Sequence, residues 1–116
     1  MKIKCSKSSL YEAVVNVSKA VSERSALPSL EGIKFKVTDN MLELTGYDLE
    51  IGIRTTLEAY ADKNGEFIVN ARLFAEMIRK MPEDDLYIDV SDNLQVTIAS
   101  GVTTYNLSAV SSEDYP

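Results

Sequence analysis

Histidine is absent from this 116-residue chain, and cysteine occurs only once. The lack of histidine removes the commonest general base, the usual member of a catalytic triad and the commonest zinc ligand. The single cysteine, Cys5, cannot form an internal disulfide, which fits a reducing compartment. We therefore expect no catalytic residue, no metal site and no cofactor.

The chain also lacks a long apolar run and a charged-then-apolar N-terminus, so neither a membrane span nor a signal peptide is expected. Hydrophobic residues make up 45% of the chain and charged residues 26%, which is a globular composition. The length fits one domain, or two small and closely packed halves. The formal net charge of −6 argues against nucleic-acid binding over the whole surface, but not against contact through part of it.

The clearest predicted helix covers residues 70–82. Asn70 can accept a hydrogen bond from the first turn, and Pro82 disfavours helical geometry in the residue before it. Apolar residues recur at i, i+3, i+4 and i+7, which predicts one buried face, while the opposite face is cationic. The apolar residues are Phe74, Met77, Ile78 and Met81, and the opposite face carries Arg72, Glu76 and Arg79, with Lys80 at its flank.

A second helix is predicted near the N-terminus, after a short strand over residues 1–5. Ser9 and Glu12 have the spacing of a capping box, and apolar residues follow at helical spacing. Strands with alternating apolar and polar residues then fill most of the chain, the longest run extending from Leu49 to Leu57. The apolar stripe of the helix consists of Leu10, Val14, Val17 and Val21, with Lys19 facing away.

An internal repeat organises these elements. The segment V-T-D-N-M-L-E-L at 37–44 is echoed by V-S-D-N-L-Q-V at 90–96. Each half, about 1–58 and 66–110, reads as a strand, a helix and three strands. This order predicts an α+β fold with the two helices on one side and antiparallel sheets on the other.

Net charge also differs between the two helical segments and the rest of the chain. Residues 6–24 carry a net charge of +1 and residues 70–81 a net charge of +2, which leaves −9 for the remainder of a chain at −6. The helical side is therefore mildly positive and the sheet side strongly negative. Such segregation suits a protein that meets a polyanion with its helices.

Several strings occur in a fixed order: R-S-A-L-P-S-L at 24–30, L-T-G-Y-D-L-E at 44–50, V-N-A-R-L-F at 69–74 with M-P at 81–82, and Y-N-L at 105–107 with D-Y-P at 114–116. Together with the repeat, they closely resemble the first domain of the bacterial sliding clamp, the beta subunit of DNA polymerase III. The resemblance identifies residues 1–116 as a single clamp domain, the first of three in the family. It also implies that the chain is truncated after residue 116.

The resemblance implies a non-catalytic processivity factor of the bacterial cytoplasm. In this family two chains associate head to tail as a homodimeric ring around duplex DNA, which is held without sequence preference and tethers the replicative polymerase. The polymerase and the clamp loader are implied partners, and their binding cleft lies between the second and third domains, outside this chain. An alternative is a protein-interaction module of the same fold that forms no ring.

The resemblance also assigns candidate DNA-binding residues. The arginine at the end of the first helix, Arg24, matches a DNA-contacting position, although a surface arginine in a loop is the alternative. Arg79 matches a basic position on the pore face, and Arg72 matches another that alternatively braces the fold. Lys80 and Lys19 join the set on charge and helical placement.

A subunit interface is implied at the last strand, where Tyr105 and Leu107 match an apolar pair of the family. A final strand leaves unpaired backbone groups that another subunit can cover, but ordinary core packing is the alternative for both side chains. The chain departs from the family pattern at Leu73, which replaces a lysine, and at Glu12, where some members have a basic residue.

One carboxylate pair, Asp48 and Glu50, permits a third hypothesis, a small hydrolase. No nucleophile, histidine or phosphate-binding loop accompanies the pair. We instead expect Asp48 to hold the turn after Gly46 through backbone hydrogen bonds.

Overall fold

A computed structural model of the chain describes residues 1–22 and 27–116. In this part, the order of a strand, a helix and three strands occurs twice, with a short strand between the two copies. None of the helices here is long and apolar enough to cross a membrane. The elements are β1 (Lys2–Ser6), α1 (Lys7–Ser18), β2 (Gly32–Thr38), β3 (Met41–Tyr47), β4 (Gly52–Glu58), β5 (Tyr60–Ala61), β6 (Gly65–Asn70), α2 (Ala71–Arg79), β7 (Asp85–Val90), β8 (Gln95–Ser100) and β9 (Thr103–Ser108), with short 3-10 helices at Pro28–Glu31 and Ser112–Asp114.

The strands form two antiparallel sheets, one in the order β5-β1-β7-β8-β9 and the other in the order β4-β3-β2-β6. The first strand of each half lies in the sheet of the other half, because β1 pairs with β7 and β6 pairs with β2. Ile68 and Val110 join the two sheets through a pair of backbone hydrogen bonds of 3.0 and 2.9 Å. The halves therefore exchange strands and form one unit. The α+β fold class is confirmed.

The core lies between the helices and the inward faces of the sheets. Alternation along β2 buries every second residue, and the apolar stripes of α1 and α2 cover those positions. Phe35 is central, since its ring lies 5.0 Å from Phe67 in a stacked arrangement and 5.0 Å from Phe74 in an edge arrangement. Burying each such side chain contributes about 1.5–3 kcal/mol to stability.

Both helices begin with a side-chain cap. Asn70 Oδ1 accepts a 3.0 Å hydrogen bond from the Leu73 N–H, as the sequence predicts. The predicted capping box at Ser9 and Glu12 is wrong, because the helix begins three residues earlier, at Lys7. Ser6 is its cap, with Oγ accepting a 3.4 Å hydrogen bond from the Ser9 N–H.

Helix α1 approaches β3 closely at Gly46. A Cβ atom at this position would lie 2.1 Å from the carbonyl oxygen of Val17 and 3.2 Å from a methyl group of Val21. Gly46 lies within β3, and its lack of a side chain permits close backbone contact between the helix and the strand.

The turn between β3 and β4 differs in part from the prediction. The alternation predicts a strand from Leu49, but β4 begins at Gly52, and both Leu49 and Ile51 are exposed in the turn. The expected role of Asp48 is confirmed, since its Oδ1 accepts hydrogen bonds of 2.9 and 2.7 Å from the N–H groups of Glu50 and Ile51. These bonds hold Leu49 at φ 78°, which periodicity alone does not reveal.

Candidate nucleic-acid interface

Three of the five candidate DNA-binding residues lie together on α2 or at its end. Arg72, Arg79 and Lys80 are exposed on the helix face turned away from the core. That face is fixed by Phe74 and Ile78, which are fully buried on the opposite side. The helix thus presents its cations on one continuous surface.

Glu76 lies among these cations and was missed as an organising residue. Its Oε2 is 3.0 Å from Arg79 Nη2 and 4.0 Å from Lys80 Nζ. The hydrogen bond from Arg79, and then its charge, lower the pKa of Glu76, and the charges of Lys80 and Arg72 act in the same direction. The same hydrogen bond raises the pKa of Arg79. About half of each side chain in the Glu76–Arg79 pair is exposed, so both remain accessible to a ligand.

Arg72 lies in a groove between the end of α1 and the start of α2. The groove has a volume of about 460 Å³ and is also lined by Ser22, Glu31 and Glu76. Two carboxylates thus line the groove beside the guanidinium. This position is compatible with either of the roles considered from the sequence, contact with DNA or bracing of the fold.

The remaining two candidates belong to the first helix and its continuation. Lys19 is exposed at the end of α1, where its backbone N–H closes the helix on Asn16. Its ammonium has no ion-pair partner among residues 1–22 and 27–116. Arg24 falls in the segment 23–26, outside the described residues, so its contact with DNA stays a prediction.

The structure also shows a link between the helices that the sequence does not reveal. Lys7 Nζ donates hydrogen bonds of 2.7 Å to the carbonyl of Met81 and 3.3 Å to the carbonyl of Arg79, at the C-terminal end of α2. In return, Asp84 accepts bonds from the Ser8 N–H (3.0 Å) and the Ser6 hydroxyl (2.9 Å) at the start of α1.

Each charge in this link faces the helix end of opposite partial charge, which is the favourable arrangement. The bonds from the N–H of Ser8 and the hydroxyl of Ser6 lower the pKa of the Asp84 carboxyl. The contacts span more than 70 residues of sequence, so no local pattern predicts them. They fix the relative position of the two helices that carry the cations.

The candidate interface residues Tyr105 and Leu107 lie on β9, an edge strand. They pair with Ile98 and Val96 of β8, and their half-buried side chains pack against the core. The other side of β9 pairs with no strand in the described part of the chain. The two side chains thus contribute to the core at the margin of an open sheet edge.

The arrangement offers little for catalysis. The Asp48 carboxyl accepts hydrogen bonds from the N–H groups of Ile51 and Glu50 in its turn, and these bonds lower its pKa. Burial raises the pKa of the Cys5 thiol to about 12, which disfavours the nucleophilic thiolate. Within residues 1–22 and 27–116, no three histidine, cysteine, aspartate or glutamate side chains are grouped as a metal site requires.

Known proteins match this chain along its whole length. The family model of the DNA polymerase III beta subunit, N-terminal domain, matches residues 1–116. The beta sliding clamp of Halalkalibacterium halodurans is 35% identical over 111 residues, which cover 89% of this chain and 29% of that protein. The clamp of Bacillus subtilis is 33% identical and is matched by all of this chain over 33% of its own length. The chain thus spans about a third of these relatives.

Solved structures agree with these matches. The crystal structure of the Bacillus subtilis DNA polymerase sliding clamp has a TM-score of 0.96 at 31% identity, and the match covers 100% of this chain and 33% of that one. A putative DNA polymerase III beta subunit from Eubacterium rectale gives 0.95 at 31% identity, covering 100% of this chain and 32% of that one. This chain therefore belongs to the DNA polymerase III beta subunit family, the bacterial sliding clamps, and corresponds to their N-terminal domain.

Proposed function

We propose that this chain is the first of three clamp domains in a head-to-tail ring that encircles duplex DNA and tethers the replicative polymerase to it. The observation that carries the proposal is the cationic face of α2, which holds Arg72, Arg79 and Lys80. The strands of the two sheets are net neutral and not strongly negative as the sequence predicts, so the acidic excess of the chain lies in its turns and connections. The α2 face is net positive in a chain of net charge −6, which favours phosphate on that face.

Two of the sheet edges, those of β4 and β9, support assembly. Strands β4 and β9 are the last strands of the two halves, and each forms an edge of its sheet. A domain with two different open edges can join one neighbour at each, which generates a ring when the rotation closes. We assign the β9 edge, with Tyr105 and Leu107, to the contact between subunits.

Few cations suffice for this task. Each phosphate that Arg or Lys neutralises releases counterions and adds affinity that depends on salt. Enclosure by a ring supplies retention, so a small number of contacts holds the duplex while leaving it free to slide. Contacts to the phosphate backbone of DNA do not distinguish one base from another, so binding of this kind has no sequence preference.

The proposed role is non-catalytic and belongs to the bacterial cytoplasm, where the chromosome is replicated. Polymerase and clamp loader bind parts of the full-length protein outside this chain. The alternative, an interaction module that forms no ring, predicts the same domain fold but no topological hold on DNA.

The test uses the protein in its full encoded length, loaded by a clamp loader onto a nicked circular plasmid and separated from free protein by gel filtration. We expect the protein to remain on the circle and to leave when the plasmid is cut to a linear form. Release at equal rates from circular and linear DNA contradicts the ring and favours the module.

The same assay tests the cations. Arg24→Ala with Arg79→Ala should shorten retention and weaken its dependence on salt. Arg54→Ala is the matched control, since Arg54 lies on β4 with its side chain directed outward and paired to Glu43 at 3.6 Å. Retention by the double variant equal to that of the control removes Arg24 and Arg79 from the DNA site.

A further inference from the structure

A groove of about 450 Å³ lies on the outer surface at the seam between the two sheets, where the chain passes from β4 to β5. Its floor is the buried Ala59. Tyr60 and Lys4, directly opposite each other on β5 and β1, form one wall. Met41 and Glu58, directly opposite each other on β3 and β4, form the other. The groove thus faces away from the helices and their cations.

Large apolar surface is exposed in these walls. Tyr60 is 72% exposed and Met41 is 41% exposed, and they flank the same depression. Tyrosine and methionine are enriched in protein interfaces relative to other surface. An exposed aromatic ring beside a flexible apolar side chain is therefore a feature of a docking surface.

The groove is rigid because hydrogen bonds fix the turn between β2 and β3 that borders it. Asp39 and Asn40, with φ of 48° and 63°, form the turn between β2 and β3. The Asn40 carbonyl accepts a 3.1 Å hydrogen bond from the Ala59 N–H, and its Oδ1 accepts a 3.0 Å bond from the Ala61 N–H. A prearranged site of this kind loses little conformational entropy on binding.

The charges of the groove indicate its occupant. Asp39 and Glu58 line it, and neither carboxylate has an ion-pair partner in the part of the chain that the structure describes. The one cation present, Lys4, is directed to the neighbouring strand, where Nζ lies 5.6 Å from the centre of the Tyr87 ring. The groove therefore presents two unpaired carboxylates beside an exposed ring.

We propose that this groove binds an arginine side chain presented by a segment of a partner protein. A guanidinium group is planar, stacks on an aromatic face and pairs with carboxylates through two parallel hydrogen bonds. Tyr60 supplies the ring, Glu58 and Asp39 supply the carboxylates, and Met41 contacts the aliphatic stem. The same carboxylates repel phosphate, so the partner is a protein and not DNA. The assignment is independent of ring formation.

The test is an NMR titration of the 15N-labelled chain with the tripeptide acetyl-Leu-Arg-Leu-amide. We expect saturable shifts of the amides of Met41, Ala59, Tyr60 and Ala61. The same peptide with glutamate in place of arginine should shift none of them. A short duplex DNA should likewise leave these four amides unshifted.

Variants then identify the contacts. Glu58→Gln and Tyr60→Ser should each weaken binding of the arginine peptide by about two- to fivefold, while Tyr60→Phe, which keeps the ring, should not. Asp89→Asn is the matched control, since it removes one charge from the outer face of β7, two strands from β5, and Asp89 does not line the groove. Absence of saturable shifts, equal shifts with the glutamate peptide or with DNA, or equal weakening by Asp89→Asn overturns the proposal.

Discussion

Glu76 restrains the cations of α2, and its removal provides the sharpest test of the proposed DNA-binding face. The carboxylate lies within 4.0 Å of the charged nitrogens of both Arg79 and Lys80. Glu76→Gln keeps the size of the side chain and one acceptor oxygen but removes its charge. Both cations then become available to phosphate without any new positive residue.

The expected magnitude follows from counterion release. Each additional phosphate contact steepens the plot of log affinity against log salt concentration by about 0.9. If one of the two cations gains a phosphate contact, lowering salt from about 200 to about 50 mM increases affinity about 3.5-fold more in the variant than in the parent protein. The surface pairs that are lost contribute little to stability, so the fold should be retained.

The measurement is fluorescence anisotropy of a labelled duplex with the full-length protein across a range of salt concentrations. Glu12→Gln is a matched control, because Glu12 and Glu76 both lie six residues after the cap of their helix and both are exposed. Glu12 belongs to none of the ion pairs among the described residues, so its substitution changes the general field without releasing a cation.

An unchanged salt slope for Glu76→Gln, or a change no larger than that of Glu12→Gln, refutes the reasoning. Adding Arg79→Ala to Glu76→Gln should return the slope to the parental value or below it. If the slope stays steep in the double variant, the additional phosphate contact in Glu76→Gln is not made by Arg79.

Three further predictions concern assembly, pH and packing. Leu107→Asp should give monomers of the full-length protein in sedimentation, whereas the exposed neighbour Asn106→Asp should leave the dimer intact; a persistent Leu107→Asp dimer contradicts the interface. Folding lowers the pKa of Asp84, so its contribution to stability is complete above the ordinary value of 3.8 and is lost as pH falls through the lower pKa of the folded state. Asp84→Asn should therefore lower the melting temperature at pH 7 but not at very low pH. An equal decrease at both pH values refutes the link between the helices. Gly46→Ala should destabilise the protein by about 1–3 kcal/mol in urea unfolding, and by more than Gly52→Ala, where the nearest atom to an added Cβ is 3.5 Å away; equal effects contradict the close approach of α1 to β3.

The sequence predicts the elements well where burial is periodic. Phe74 and Ile78 are fully buried as their spacing indicates, and the Asn70 cap forms as expected. Errors occur where local hydrogen bonds override the pattern. The apolar spacing of Leu49 and Ile51 continues that of β4, yet the Asp48 turn excludes both residues from the strand.

Long-range pairing is the part that sequence patterns do not contain. The repeat suggests two halves, but nothing in it shows that β1 and β6 are exchanged between their sheets. Likewise, Lys7 counts as one charge among others in the sequence, whereas the structure assigns it to the carbonyls of Met81 and Arg79. Contacts of this kind depend on which elements meet in three dimensions, and periodicity describes only each element by itself.

The two helices repeat in packing but not in charge. Aligned from their caps, Ser6 and Asn70, the fully buried Leu10 and Val14 of α1 coincide with Phe74 and Ile78 of α2, and the exposed positions coincide as well. The core therefore constrains these central inward positions in both copies and leaves the outward residues free to differ. The outward positions of α1 from Ser8 to Asn16 carry no cation, whereas the matching positions of α2 carry three, so within these two stretches we expect phosphate contact mainly on the second helix. The outward pairs, α1 first, are Ser8 with Arg72, Ser9 with Leu73, Glu12 with Glu76, Val15 with Arg79 and Asn16 with Lys80.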